Sequence, residues 1–554
     1  MNQFPWQTLY PDGIPFEINP AEYGSLADVL DEACQKYADL PAFENMGVSY
    51  TYRELDRLTL HFATYLQQNA GLKKGDHIAV QMPNLLQYPI ALFGALRAGL
   101  VVVNTNPLYT AREMEFQFRD SGVKAVVIAE NFAHKLEQIS DKVSIDTVII
   151  TGIGDQLGGL RGSVVNFVIK YFKRMVPSYH LPEAVTFKEV LSAGAGGSFD
   201  PVMLTGDDIA FLQYTGGTTG RSKGAILTHR NMVANLLQCR AWFTGLKAGR
   251  ETVITALPLY HIFALTVNGL LMLNIGARNI LITNPRDLKT FISELKKHPF
   301  TIFTGLNTLF NALLNQKEFK KINFKTLKVT VGGGMAVQKS VAERWKEVTG
   351  KMIVEGYGLT EASPVLSCNP VDESGRLGTI GLPLPSTELA ILDEEGNLLP
   401  PGQPGEIVAR GPQVMKGYWK QEEESRHIFL DDWLKTGDIG VMKDDGYFTI
   451  VDRKKDMINV SGFNVYPNEV EDVIAAHPKV TEVGVIGVVD DHSGEVVKAF
   501  IVRKVPTLTE EEIRQYCKEN LTGYKRPKYV VFKDELPKNP VGKILRKELR
   551  ELDA

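Results

Sequence analysis

Short apolar runs and amphipathic stretches alternate along the first third of the chain. The runs 77–82, 101–104, 125–129 and 146–151 have the length and β-branched content of buried strands, and stretches between them, such as 89–98 and 112–121, have helical periodicity. Alternation of this kind predicts an α/β architecture built from βαβ units around a parallel sheet. Three further apolar runs each end in a glycine turn. Residues 208–213 run into a Gly/Thr-rich loop, 327–331 into Gly332-Gly333-Gly334-Met335, and 352–354 into Glu355-Gly356-Tyr357-Gly358-Leu359-Thr360-Glu361. Loops that follow parallel strands lie at the carboxyl edge of a sheet, so three strands of one sheet are expected to deliver these turns to one crevice.

The texture changes at about 387. From there to 451 the runs are short and β-rich, broken by Pro400-Pro401-Gly402 and Pro404-Gly405, which predicts a small barrel-like subdomain. The charged stretch Asp452-Arg453-Lys454-Lys455-Asp456 then precedes a tail of about a hundred residues, an ordinary size for a small domain. The expected organisation is a large α/β N-terminal domain, 1–452, made of layered subdomains with the β-rich one at about 387–451. A small C-terminal domain, 453–554, follows, with a hinge at about 452–456. There is no internal repeat and no low-complexity segment. The longest apolar stretch, 263–275, is interrupted by Asn268 and is too short to span a bilayer.

Composition narrows the function classes. The chain has 554 residues, 44% of them apolar, and a formal net charge of −4, ample material for a large core and more than one domain. It lacks the basic excess and the signatures of a nucleic-acid binder. Cys34, Cys239, Cys368 and Cys517 lie far apart with no CxxC, so neither a zinc site nor a disulfide framework is expected and a reduced compartment fits. The N-terminus has no basic segment ahead of an apolar run, which argues against a secretory signal and for a cytoplasmic location.

The loop after 208–213 is the richest in chemistry. In Tyr214 to Ala225, Gly216, Gly217, Gly220 and Gly224 let backbone N–H groups turn inward, Thr215, Thr218, Thr219 and Ser222 offer hydroxyls, and Arg221 and Lys223 supply positive charge. The spacing is not that of a Walker A loop. Taken alone, such a cluster fits a mobile surface turn as well as a polyphosphate cradle. Recurrence of glycine turns in the same strand-to-turn context favours the cradle.

Five motifs in order then resemble those of the adenylate-forming enzymes: 214–225, Tyr357 to Glu361, Thr436-Gly437-Asp438, 452–471 and 540–549. Within that superfamily 432–455 is similar to the signature of fatty acyl-CoA synthetases, most of all the bacterial long-chain-fatty-acid–CoA ligases, and the likeness covers nearly the whole chain. The resemblance implies an ATP- and Mg²⁺-dependent enzyme that joins a long-chain fatty acid to coenzyme A through an acyl-adenylate. The alternatives are an adenylate-forming ligase for another carboxylic acid or for transfer to an acyl carrier protein, and a non-catalytic nucleotide-binding protein, against which the intact Lys543, Glu361 and Asp438 argue. It also implies a mobile α+β C-terminal lid and allows a homodimer.

Roles follow from the same resemblance. Lys543 is expected to bridge carboxylate and nucleotide during adenylation. Glu361, one residue after Thr360, would be the oxygen ligand of a magnesium ion, which needs only one or two carboxylates beside phosphates. Tyr357 would stack on adenine, Asp438 would accept the ribose hydroxyls, and Arg453 would be a second ribose or phosphate partner. Gly332, Gly333, Gly334, Glu355, Gly356 and Gly358 complete the nucleotide site. His261 would be near the reacting carboxylate, and 263–273 is either an alkyl tunnel wall or an ordinary buried helix. Lys455 matches the hinge position, and Lys454, Ser461, Gly462 and Phe463 the coenzyme A channel.

One amphipathic segment stands outside these motifs. In 164–176, ahead of Pro177, a helical wheel puts Asn166, Lys170, Lys173 and Arg174 on one arc and Val164, Phe167, Val168, Tyr171, Phe172 and Met175 outside it. That pattern suits a helix lying on an anionic membrane surface or one that buries its apolar face against its own protein.

Overall fold

The computed structural model describes residues 4–215, 222–372, 374–461, 463–490, 493–539 and 542–553. The anticipated strands form with small end corrections: His77–Gln81, Val101–Asn104, Ala125–Ala129 and Thr147–Thr151, alternating with helices such as Gln87–Arg97 and Ala111–Ser121. All four strands are joined in parallel, and Ile209–Thr215 extends the sheet beside Val101–Asn104. Lys223–Thr228 then closes this seven-stranded sheet as an antiparallel edge.

The three glycine turns do not belong to one sheet. Ile209–Thr215 lies in the seven-stranded sheet, whereas Val329–Gly332 and Ile353–Gly358 are neighbours in a separate nine-stranded sheet. Local pattern does not say which strands pair. Here residues 41–51, far back in the chain, complete the second sheet beside Arg278–Leu281. The expected crevice therefore lies between two sheets.

The change at 387 marks a five-stranded antiparallel sheet containing Glu388–Leu392, Pro404–Arg410, Trp433–Met442 and Phe448–Arg453. A last five-stranded sheet, built around the long pair Val480–Asp490 and Gly494–Arg503 and flanked by helices Pro467–Ala475 and Glu510–Asn520, has its own apolar core. This makes a large N-terminal body and a small α+β C-terminal one. Asn311 of the large body donates to the Thr481 carbonyl of the small one at 3.2 Å. Arg546 ties the terminal helix Arg546–Glu551 to the connection by ion pairs to Asp452 and Asp456, and to the helix Pro467–Ala475 by one to Glu471.

The apolar stretch 262–274 is a buried run of α- and π-helical turns. Asn268 interrupts its apolar character because its side-chain N–H donates to Thr255 and its Oδ1 accepts from the Thr304 hydroxyl inside the core. Among the described residues no helix is long and apolar enough to cross a membrane. The segment 164–176 departs from one continuous α-helix: Gly159–Phe167 is α-helical, Val168–Phe172 is π-helical, and Arg174 turns into the left-handed region at φ 50°. Its polar arc is also split. Asn166 bonds to Gly154 and Asp155, and Lys170 pairs with Glu130, so both are held to the protein.

Candidate functional site

A cleft of about 1310 Å³ lies between the two large sheets, the antiparallel subdomain and the C-terminal body. Its wall contains Tyr214, Thr215, Lys223, His261, Gly333, Gly334, Glu355, Gly356, Tyr357, Gly358, Thr360, Glu361, Asp438, Arg453, Lys454, Lys455 and Lys543. Most residues singled out from the sequence are thus brought together across several hundred positions of chain.

Ile209–Thr215 and Lys223–Thr228 form a hairpin in which Thr215 faces Lys223 and Tyr214 faces Gly224. Gly216, Gly217, Thr218, Thr219, Gly220 and Arg221, at its tip, lie outside the described residues. Gly224 and Ala225 serve the pairing and, with Ser222 and Gly332, are not part of the cleft lining. Lys223 is buried, pairs with Glu424 and lies 5.3 Å from the centre of the Tyr418 ring.

The turn after Ile353–Gly358 is sterically determined. A Cβ on Gly358 would sit 1.8 Å from the Pro364 carbonyl oxygen, so only glycine lets the chain double back here. Tyr357 on this strand donates its hydroxyl to Asp438 Oδ2 at 2.7 Å, while Arg453 Nε approaches Asp438 Oδ1 at 3.1 Å. Each carboxylate oxygen keeps a second lone pair, so Asp438 can still accept two more hydroxyls. One residue past Thr360, Glu361 is buried and accepts the Tyr418 hydroxyl at Oε1, 2.7 Å away. Its Oε2 has no hydrogen-bond partner among the described residues. One fixed carboxylate with a spare oxygen suits a hard cation that brings phosphates and water as its other ligands.

Burial sets the charge states. The Glu355 carboxyl, which accepts from Val337 N–H, is pushed up to about 8, and Asp472 across the cleft to about 6, both chiefly by desolvation. His261 is pushed down to about 4 by burial and then by Lys543. Its Nδ1 accepts from Phe263 N–H at 3.4 Å, which assigns the proton of the neutral ring to Nε2. Lys543 is lowered to about 8 by burial first and Arg453 second. Its ammonium makes no hydrogen bond or ion pair among the described residues.

Gly542 beside it holds φ +94°, and a Cβ there would meet Thr308 Oγ1 at 2.8 Å. The lid loop therefore touches the large body at the position that carries Lys543 into the cleft. By contrast Ser461 and Phe463 are absent from the cleft lining: Ser461 is exposed, and Phe463 is 56% exposed, stacked on Tyr524 at 4.7 Å. Gly462 lies outside the described residues.

Part of the lining is apolar: Cys239, Trp242, Phe243, Leu257, Ile380 and Leu384. The Trp242 indole N–H donates to the Asn369 carbonyl at 3.0 Å, which fixes its ring. Phe263 and Val267 also face this cleft, whereas Leu265, Leu270 and Leu271 do not line it, so the helix is core and wall at once. Sequence reasoning missed Tyr418, Glu424, Trp242 and Arg546. Only Arg546, inside the last motif, carried a signal that could have found it.

Comparison with known proteins agrees with this arrangement. The family model described as AMP-binding enzyme matches residues 30–419, and that described as AMP-binding enzyme C-terminal domain matches 469–543. The chain is similar to the long-chain-fatty-acid–CoA ligase of Escherichia coli O6:H1, with 57% identity over 547 residues, 99% of this chain and 98% of the relative. It is similar to the ligase of the same description from Haemophilus influenzae, with 50% identity over 550 residues, 99% of this chain and 98% of the relative. Among solved structures it is similar to the anthranilate CoA ligase AuaEII in complex with anthranoyl-AMP, with a TM-score of 0.86 and 25% identity, covering 97% of this chain and 99% of that one.

Proposed function

The chain belongs to the AMP-binding enzyme family, and we infer that it is a long-chain fatty acyl-CoA synthetase, an AMP-forming acid–thiol ligase. The observation that supports a two-stage cycle is the placement of Lys543 in the cleft while Ser461 and Phe463 stay outside it. In the first stage a fatty carboxylate oxygen attacks the α-phosphorus of ATP, and the bond to the departing pyrophosphate breaks. Two anions must meet, so the work is positioning and charge compensation.

The Lys543 ammonium bridges the carboxylate and the α-phosphate. Neutral His261 offers its Nε2–H to the carboxylate without adding a charge that would trap it. Asp438 and Arg453 hold the ribose, Tyr357 packs against the adenine, and the glycine turns with Thr360 and Lys223 surround the phosphates. Glu361 would hold a magnesium ion on those phosphates, which supplies neutralisation of the charge that leaves with pyrophosphate.

In the second stage the coenzyme A thiol gives its proton to solvent, sulfur adds to the acyl carbonyl carbon, and the carbon–oxygen bond to AMP breaks with AMP taking the bonding pair. Lys543 must withdraw to open that approach. We place the boundary at 452–453 and the pivot in the turn at Lys455, so that rotation of 453–554 removes Lys543 and brings 461–463 to the cleft, where Lys454 already lies. The same proposal includes a cytoplasmic enzyme peripheral on the inner membrane face and a homodimer.

Two experiments test this. Acid-dependent pyrophosphate release across a ladder of saturated acids should rise about fourfold in kcat/KM per added CH₂, as burial of about 0.8 kcal/mol each requires, until the Trp242 wall is reached. Preference for an aryl or short acid would overturn the long-chain assignment. The pH profile addresses Lys543: its cationic form is needed, so kcat/KM for adenylation should fall as pH rises through about 8. Lys543→Arg, charged throughout that range, should lose that alkaline limb even at a reduced plateau. A limb unchanged in the arginine variant would assign the titration to another group.

A further inference from the structure

The segment 159–176 is turned inside out relative to a packed surface helix. Leu160, Val164, Phe167, Tyr171, Phe172 and Met175 form one stripe and are 83%, 50%, 53%, 62%, 76% and 51% exposed. The inward side is small and polar: an ideal Cβ on Gly162 would meet the Gly154 carbonyl at 2.3 Å, Asn166 bonds to Asp155, and Lys170 to Glu130. Large apolar side chains exposed side by side, as opposed to singly, mark an interaction site. Nothing in 159–176 is acidic. Arg161 bonds to the Met46 carbonyl and Lys170 to Glu130, which leaves Lys173 and Arg174 exposed at one end of the stripe.

We propose that 159–176 is an interfacial anchor that lays its outward apolar stripe into an anionic lipid bilayer, with Lys173 and Arg174 at the headgroups. The pattern of aromatic and aliphatic side chains beside cations and no carboxylate is that of a segment lying in the interface plane. A second copy is the weaker occupant. The helical part, 159–172, is about 21 Å long, too short to bury the roughly 800 Å² per partner of a stable dimer.

No residue of 159–176 lines the cleft, and the link to it runs through 286–287. Lys173 is near enough to Asp287 to assist Thr290 in holding that carboxyl below its ordinary value. The preceding residue, Arg286, is near enough to the cleft-lining Tyr260 to oppose the burial that raises its phenol. The use of the anchor rests on the long-chain acyl reading, since such acids collect in lipid. Binding itself is measured without substrate, so the two can fail separately.

The test is cosedimentation with vesicles of mixed phosphatidylglycerol and phosphatidylcholine, and of phosphatidylcholine alone. The enzyme should bind the anionic vesicles, less at high salt, and Phe167→Ser/Phe172→Ser should bind at least about tenfold more weakly while releasing pyrophosphate normally with a short soluble acid. Equal sedimentation of parent and variant would overturn the proposal. So would a parent dimer, dissolved by the same variant, that ignores vesicles. As a check independent of that variant's folding, Tyr171→Trp should show a blue-shifted indole emission on adding anionic vesicles, and an unmoved spectrum would also overturn it.

Discussion

Lys543→Ala slows acyl-adenylate formation by about 10²–10³-fold and leaves transfer to coenzyme A from supplied acyl-adenylate much less affected. The magnitude is that of removing one preorganised charge contact from a water-poor site. The asymmetry comes from geometry: the side chain is needed where two anions meet and must be elsewhere when the thiol approaches. Burial and the neighbouring guanidinium of Arg453 already bring the Lys543 ammonium down to about 8, so the site holds that charge at a cost and recovers it when the triphosphate arrives. Single-turnover measurement of each half-reaction decides the matter. Equal loss in both would mean that Lys543 supports the lid as a whole.

The complementary result is expected from holding the lid where it is. Asn311 and Thr481 touch across the two bodies, so an Asn311→Cys/Thr481→Cys pair joined by a short reducible cross-linker fixes the present docking. The joined enzyme should make and retain acyl-adenylate, while coenzyme A transfer falls by about 10²-fold or more, the scale expected when reacting groups are held out of place. Reductant should restore transfer. Unimpaired transfer in the joined enzyme would place the pivot elsewhere. The four native cysteines are all buried, but Cys239 and Cys368 line the cleft, so the parent enzyme treated with the same reagent is the control.

Lys455→Pro, suggested by the hinge motif, is a less selective probe. Asp456 N–H and Met457 N–H both close onto the Arg453 carbonyl, so Lys455 lies inside a tight helical turn. Proline there would drive Lys454 toward an extended conformation and disturb the present docking as well as the rotation. Both half-reactions are expected to suffer.

What the sequence determined by itself is local. Most strand runs and the change of texture at 387 depend on neighbours a few residues apart, and they stand in the structure within a residue or two at their ends. The exception is 352–354, where the strand Ile353–Gly358 takes in the glycines expected to turn and the chain turns only after Gly358. Gly358 and Gly542 occupy positions where a side chain would collide or the backbone is left-handed, and their motifs carried that requirement. Tertiary structure decided the rest, because it depends on contacts between distant residues. It put the glycine turns on two sheets instead of one, since pairing partners are not written in a strand's own pattern. It set Tyr418 on Glu361 and Tyr357 on Asp438 across 57 and 81 positions of chain. It also turned the apolar arc of 159–176 outward, since a helical wheel gives the faces of a helix but not which one the protein covers, and here Gly162, Asn166 and Lys170 already had partners inside.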